Sequence, residues 1–307
     1  MSPTSGATNG SGIAAVTSWT LGTTPGTNTL TASATGLTGS PVTFTATATA
    51  GAAAKLAITT EPSSSAQSGA PFAQQPVVQL QDANGNPVSQ SGVTVTAVVA
   101  SGPGGTLANA SATTTGSGAA SFSGLTLSGT VGSYTLRFED TNLTPATSSA
   151  IALSAGAATT IAENGGNGQS ATVGTAVATP PSVLVRDGAG NPVADVTVTF
   201  TVTSGGGTVS PTSGATNGSG IAAVTSWTLG TTPGTNTLTA TASGLTGSPV
   251  TFTATATAGA AAQLAITTEP SSSASSGVAL AQQPVLQLQD ANGNPVSQSG
   301  VTVTAVV

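Results

Sequence analysis

Between residues 196 and 202 apolar and hydroxyl side chains alternate without a break. Val196, Val198, Phe200 and Val202 occupy one set of positions, and Thr197, Thr199 and Thr201 the other. A period of two belongs to an extended strand with one face buried and one in water. Carried along the chain, this pattern predicts about seven short strands in residues 52–155, near 55–60, 76–82, 93–99, 106–113, 118–123, 132–139 and 146–153. It predicts seven more in residues 156–259, near 159–163, 181–187, 196–203, 208–214, 220–227, 235–242 and 248–257. Turn signals such as Asn84-Gly85, Gly190-Asn191-Pro192 and Pro233-Gly234 separate them. No helical period competes. Many short strands at this spacing, punctuated by Gly and Pro, imply an all-β chain of antiparallel sandwiches. In the last strand of this series but two, Ala222 and Val224 point inward, as do Ala14 and Val16 in its copy. Strict alternation then turns Trp227 and Trp19 outward unless a bulge returns them to the core.

The pattern repeats. Residues 2–99 and 210–307 align without a gap at an offset of 208, and 90 of the 98 positions are identical. That period is too long for a solenoid unit and equals two domains of about 100 residues each. A half-period is also visible. The stretch LQDANGNPVSQSGVTVTAVV at 80–99 parallels LVRDGAGNPVADVTVTFTV at 184–202, and TGSGAASFSGLTL at 115–127 parallels TNGSGIAAVTSWTL at 216–229. Two diverged modules therefore alternate: residues 1–51 are the second half of an A-type module, 52–155 a complete B-type module, 156–259 a complete A-type module, and 260–307 the first half of a B-type module. The joints near 50–54, 154–158 and 258–262 are short, Ala/Gly-rich and free of Pro, which predicts close abutment in a semi-rigid rod. Near-identity that skips a neighbour also lowers the risk of misassembly between adjacent modules.

Composition removes most chemistry. The chain has no Cys and no His, and Lys55, Arg137 and Arg186 are its only basic side chains. Disulfides, thiolate or imidazole catalysis and His or Cys metal ligands are excluded, and no base stands ready to activate the many Ser and Thr hydroxyls. A net charge of −6 speaks against nucleic acid, which needs clustered Lys and Arg. No run of 18 apolar residues predicts membrane insertion in this segment. The adjacent carboxylates Glu139 and Asp140 would point to opposite faces of one strand, unlike the opposed pair of a glycosidase. The expectation is a protein that is not an enzyme and needs no cofactor.

Asp187, GNPV at 190–193, VTVTFTV at 196–202 and TNGSGIAAVT at 216–225 together resemble the bacterial immunoglobulin-like repeats of the invasin and intimin adhesins. GNPV recurs at 85–88 as part of NGNPV and again at 293–296 in the same strand context, so the resemblance extends to every module. It implies tandem immunoglobulin-like β-sandwiches in the extracellular, cell-surface or secreted stalk of an adhesin or fibre. The work implied is mechanical: a stiff, protease-resistant spacer. The alternative is a ligand-binding adhesin module that recognises a glycan or a host protein.

Several residues carry candidate chemistry. Asp82, Asn84 and Asn86, repeated as Asp290, Asn292 and Asn294, resemble the start of an oxygen-rich Ca²⁺ loop, but no acidic ligand closes it at the required spacing and module A has Ala189 in place of Asn84. The other reading is an Asx-stabilised turn with Pro at its exit. Trp19 and Trp227 are either core packing or a repeated stacking platform for a sugar or a neighbouring fibre. Tyr134 stands where sandwich domains carry a corner tyrosine whose hydroxyl caps the chain, and module A has Asn236 there. Asn9, Asn109, Asn142 and Asn217 lie in N-x-S/T sequons.

The last element, VTVTAVV at 301–307, is predicted to be a strand without a successor. Val301, Val303, Val306 and Val307 would then offer an uncharged edge for pairing. Two expectations follow. Neighbouring modules of a longer chain complete both half-modules, or the C-terminal half of one copy completes the N-terminal half of the next and builds a filament.

Overall fold

Within the two complete sequences the threonine-alternating segments become strands, because burying one face of Val, Phe, Leu and Ala is worth about 25 cal/mol per Å² while the Thr face keeps its hydroxyls in water. The computed structural model describes residues 1–306. Two compact units are present, Met1–Ser154 and Ala155–Val307. All regular structure among the described residues is β.

In the second unit a three-stranded antiparallel sheet joins Ala158–Gly165, Ser182–Asp187 and Ile221–Ala223. A five-stranded sheet runs in the order Gln169–Thr172, Val250–Thr257, Gly234–Thr241, Thr197–Ser204, Ser213–Ala215. Ile161, Val183, Val185 and Ala222 of the first sheet and Val198, Phe200, Leu238, Phe252 and Ala254 of the second belong to one core. The strand Val250–Thr257 alternates buried and exposed through all its residues, with Thr251, Thr253, Thr255 and Thr257 on the wet face. A short ribbon of Gly207–Ser210 with Ser226–Leu229 adds Trp227 and Leu229 to that core.

The first unit repeats the plan. Lys55–Thr60, Val77–Gln81 and Ala119–Ser121 pair antiparallel. Thr94–Ser101 pairs with Gly132–Asp140 and with Ser111–Thr113, and Gly105–Ala108 forms a ribbon with Thr126–Gly129. Val78, Leu80, Val95, Leu136 and Phe138 fill the core, where the Phe122 ring meets the Phe138 ring edge-on at 5.2 Å between centroids.

Most pairings are antiparallel, and two short strands pair parallel. Gln169–Thr172 pairs parallel to Val250–Thr257, and Ser65–Gln67 parallel to Ile151–Ser154. The first strand of module A ends at Asn164-Gly165-Gly166-Asn167-Gly168, and the chain crosses there to the opposite sheet. Gly166 has φ +88° and a Cβ on it would come within 2.6 Å of Pro181 Cα, so only glycine makes this crossing.

At the corner Tyr134 is fully buried, with its hydroxyl 2.6 Å from the Gly104 carbonyl and 2.7 Å from that of Thr130. In module A the buried Asn236 accepts the Gly230 N–H at 3.0 Å through Oδ1 and donates to Gly234 O at 3.3 Å. Gly102 and Gly205 lie against these two side chains, since a Cβ would come within 2.2 Å of the Tyr134 ring and 2.4 Å of Asn236. Different residues thus close the same corner.

The flanking halves carry the same sequences in a different environment. Gly26–Ala32 pairs antiparallel with Val42–Ala48, and Gln263–Thr268 with Val285–Gln289. Phe44 is 51% exposed where its copy Phe252 is fully buried, and Leu264 is 50% exposed where its copy Leu56 is 5%. The strand predicted at 301–307 does not form over residues 301–306. The identical sequence in Thr94–Ser101 is held by ladders to Gly132–Asp140 and Ser111–Thr113, and no such ladder reaches 301–306. Val301, Val303 and Val306 are exposed, and Val307 lies outside the described residues.

Candidate functional site

One polar constellation recurs three times, around Asp82, Asp187 and Asp290. Asp82 is buried and accepts four N–H groups. Its Oδ1 takes the amides of Asn84 at 2.9 Å and Asn86 at 2.8 Å, and its Oδ2 takes the Gly51 amide at 2.9 Å and Asn86 Nδ2 at 2.8 Å. Asp290 repeats the set with Asn292, Asn294 and Gly259, and Asp187 with Ala189, Asn191 and Gly156. The turn is closed on the main chain by Asp82 N–H to Asn86 O and Gly85 N–H to Asp82 O, with the same pair of bonds at Asp187 and Asp290. Gly85, at φ +89°, supplies the left-handed residue that the turn requires.

This geometry is that of an Asx-stabilised turn. Every carboxylate oxygen faces N–H donors, whereas a Ca²⁺ site needs converging oxygens. Asn84 and Asn292 are exposed and contribute only their main-chain N–H to the carboxylate, so Ala189 serves as well in module A. Among the described residues no group of three or more acidic, His or Cys side chains converges as a metal site.

The bonds also set the acidity. The Asn86 side-chain amide, then the Gly51 N–H, hold the Asp82 carboxyl at about 2, against the opposing effect of burial and with further help from the Asn86 and Asn84 amides. Asn294 does the same for Asp290, again to about 2, with burial opposing and Gly259, Asn294 and Asn292 amides assisting. For Asp187 burial is the largest influence and raises the value, but Asn191 and the Gly156, Asn191 and Ala189 amides outweigh it, and the net shift is downward. A folded-state value below the unfolded one of about 3.9 stabilises the fold above pH 4 and loses that contribution as pH falls toward 2. The melting temperature is therefore expected to stay flat from about pH 7 to 5 and to fall between about pH 4 and 2. A melting temperature unchanged down to pH 2 would contradict the assignment.

Trp227 corrects the alternation. It is fully buried. Ile221–Ala223 belongs to the three-stranded sheet and Ser226–Leu229 to the ribbon with Gly207–Ser210, so the chain changes sheet between them. The hinge is Thr225, whose N–H and hydroxyl both donate to Ser210 O, at 2.7 and 2.8 Å. The buried set then runs 222, 224, 227, 229, and the phase slips by one. A stacking platform at Trp227 is closed off by the core. Trp19, in the flanking half, is partly exposed. The Trp227 Nε1–H has no hydrogen-bond partner among the described residues. Glu139 pairs with the half-exposed Arg137 at 2.6 Å, which accounts for it as part of a surface ion pair.

Sequence reasoning missed the distant partners of the turn. The glycine bound by each Asp lies 31 residues before it in all three cases, Gly51, Gly156 and Gly259. That constant spacing was the available signal.

Residues 167–255 match the family model of the bacterial Ig-like domain, group 1. Module A is a bacterial Ig-like domain. Residues 51–154 match the model of the sixth Ig-like domain of SMCHD1. Among solved structures, the chain is similar to the D0–D1 domains of intimin, with 24% identity over 66% of this chain and 95% of that one and a TM-score of 0.24. It is similar to FdeC, an Escherichia coli adhesin, with 20% identity over 81% of this chain and 78% of that one and a TM-score of 0.43. It is also similar to invasin, a bacterial integrin-binding protein, with 18% identity, 79% of this chain, 48% of that one and a TM-score of 0.36. No curated protein sequence matches the chain. No helix among the described residues is long and apolar enough to cross a membrane.

Proposed function

We propose that this chain is the repeat region of an extracellular bacterial surface fibre or adhesin stalk, a stiff spacer built from Ig-like modules at 52–155 and 156–259 and from halves at 1–51 and 260–307. One observation carries the reading: the joint has no slack. Between the strands Val42–Ala48 and Lys55–Thr60, Gly51 is bonded to Asp82 and the Ala54 N–H to Gln81 O at 2.8 Å. Gly259 and Ala262 are bound in the same way to Asp290 and Gln289. A linker whose amides belong to the following module cannot act as a flexible coil. The near-absence of Lys and Arg supports resistance to trypsin-like proteases.

A second reading, assembly into filaments by strand complementation, is favoured by the apolar faces of the two halves. Val42, Phe44, Leu264, Ile266 and Leu286 are exposed, whereas the same positions in the complete modules lie in or against a core. Strands of the complementary type, from the same polypeptide or from a second copy, would cover them.

Electron microscopy of the native material, with one A–B pair inserted or deleted, tests both readings. Thin particles whose length changes by a constant increment per pair support the spacer. Long fibres from the isolated chain add complementation. Globular particles whose dimensions ignore module number would overturn the spacer.

A further inference from the structure

Asn86 and Asn294 of the Asp–Asn turns each have a second use. Asn86 Nδ2 donates to Asp82 Oδ2 at 2.8 Å and also to Thr23 O at 2.8 Å. Asn294 Nδ2 does the same with Asp290 at 2.9 Å and Thr231 O at 2.8 Å. Thr23 and Thr231 lie 63 residues earlier, in the TTPGTN loop of the preceding A-type sequence. The amide has two hydrogens, so one closes the turn within the module and the other reaches across the joint.

We propose that Asn86 and Asn294 are inter-module latches, and that the surface they recognise is the carbonyl at the head of the TTPGTN loop of an A-type module. A covalent linker alone is one point of attachment and leaves bending and twisting free. The Asp–Gly bond is made to the linker itself and stiffens that same point. The Asn–Thr bond is a second attachment, made to a loop of the preceding sequence and not to the linker, and two separate attachments restrict the angle. The buried carboxylate makes the latch stronger, because it polarises and orients the amide that it holds. The same contact occurs at both A-to-B joints, in a half-module followed by a complete one and in a complete one followed by a half, so it does not depend on whether the flanking core is closed. The sequence also protects it. Asn86 and Asn294 precede Pro87 and Pro295, which lack the backbone N–H that must attack a side-chain amide for an asparagine to deamidate through a succinimide. A deamidated latch would replace a donor with a second carboxylate beside Asp82.

The chain has no cysteine, so spin labels can be placed at will. With Thr45→Cys and Thr113→Cys labelled in the full chain, pulsed dipolar spectroscopy reads the distance distribution across the 50–54 joint. Asn86→Ala is expected to broaden it at least about twofold, and Asn84→Ala, which keeps the main-chain bond, to leave it unchanged. Deleting Thr24 displaces the Thr23 carbonyl while sparing every bond to Asp82, and is expected to broaden the distribution with module B still melting as in the parent. An unchanged width in the Thr24 deletion overturns the latch, as does equal broadening by Asn84→Ala. Either result leaves the spacer reading standing on its own test.

Discussion

Trp227→Ala is expected to destabilise module A by about 3–5 kcal/mol, while Trp19→Ala, the same substitution in the same local sequence, is expected to cost under about 1 kcal/mol. Trp227 is among the largest fully buried side chains and is surrounded by a closed core, so its removal leaves a cavity that two opposed sheets cannot collapse to fill. Trp19 is partly exposed and belongs to no closed core, so its removal opens little cavity. Against a domain stability of about 5–15 kcal/mol the loss is large and corresponds to a fall in the module A melting temperature of roughly 15–30 °C. Differential scanning calorimetry of the full chain measures it, since only one of the transitions should move. Trp227→Phe is expected to lose much less, because it also removes an indole N–H that has no partner among the described residues. Equal small effects at the two tryptophans would mean that Trp227 is not in the core.

Gly118→Ala is the second large effect. Gly118 sits at φ +79°, and a Cβ there would lie 1.8 Å from the Val88 carbonyl oxygen. Left-handed backbone costs a non-glycine residue about 1–2 kcal/mol before any clash. The clash cannot be relieved locally, because Gly118 O accepts the Leu80 N–H at 3.0 Å and Gly118 N–H donates to Thr115 O at 2.9 Å. A total cost of about 3 kcal/mol or more is expected, read as a lowered denaturation midpoint of module B with unchanged slope. Gly116→Ala, two residues away and with open space around it, is the control and should stay within about 0.5 kcal/mol of the parent. Gly220 and Gly12 repeat the contrast: both have positive φ, but a Cβ on Gly220 meets Val185 O at 2.6 Å, and one on Gly12 meets nothing within 4 Å.

The alternation of Val with Thr carried the all-β reading because burial follows the period of a strand wherever a strand stays in one sheet, as Val250–Thr257 does. It failed where the chain changes sheet. Thr225 and the Gly166 crossing each hand the chain to the opposite layer, and a period of two has no memory across such a hinge. Strict alternation turns Trp227 outward for that reason, and it carries no sign of the parallel strand Gln169–Thr172. The Asp–Asn turn was legible as a turn, since Asp, Asn, Gly and Pro at those offsets have local causes. Its hold on Gly51 and Thr23 was not, because hydrogen bonds between residues 31 and 63 apart leave no local pattern. The halves at either end show the converse. Phe44 and Phe252 share a sequence and differ wholly in burial, so what a strand becomes depends on which strands face it.

The proposed spacer requires two separately closed Ig-like modules in series within residues 52–259. Mechanical unfolding of single chains by atomic force microscopy tests it most directly. Two abrupt ruptures are expected, each lengthening the chain by the contour of about 100 residues. One rupture releasing both segments together, or a smooth extension with no rupture, would contradict it.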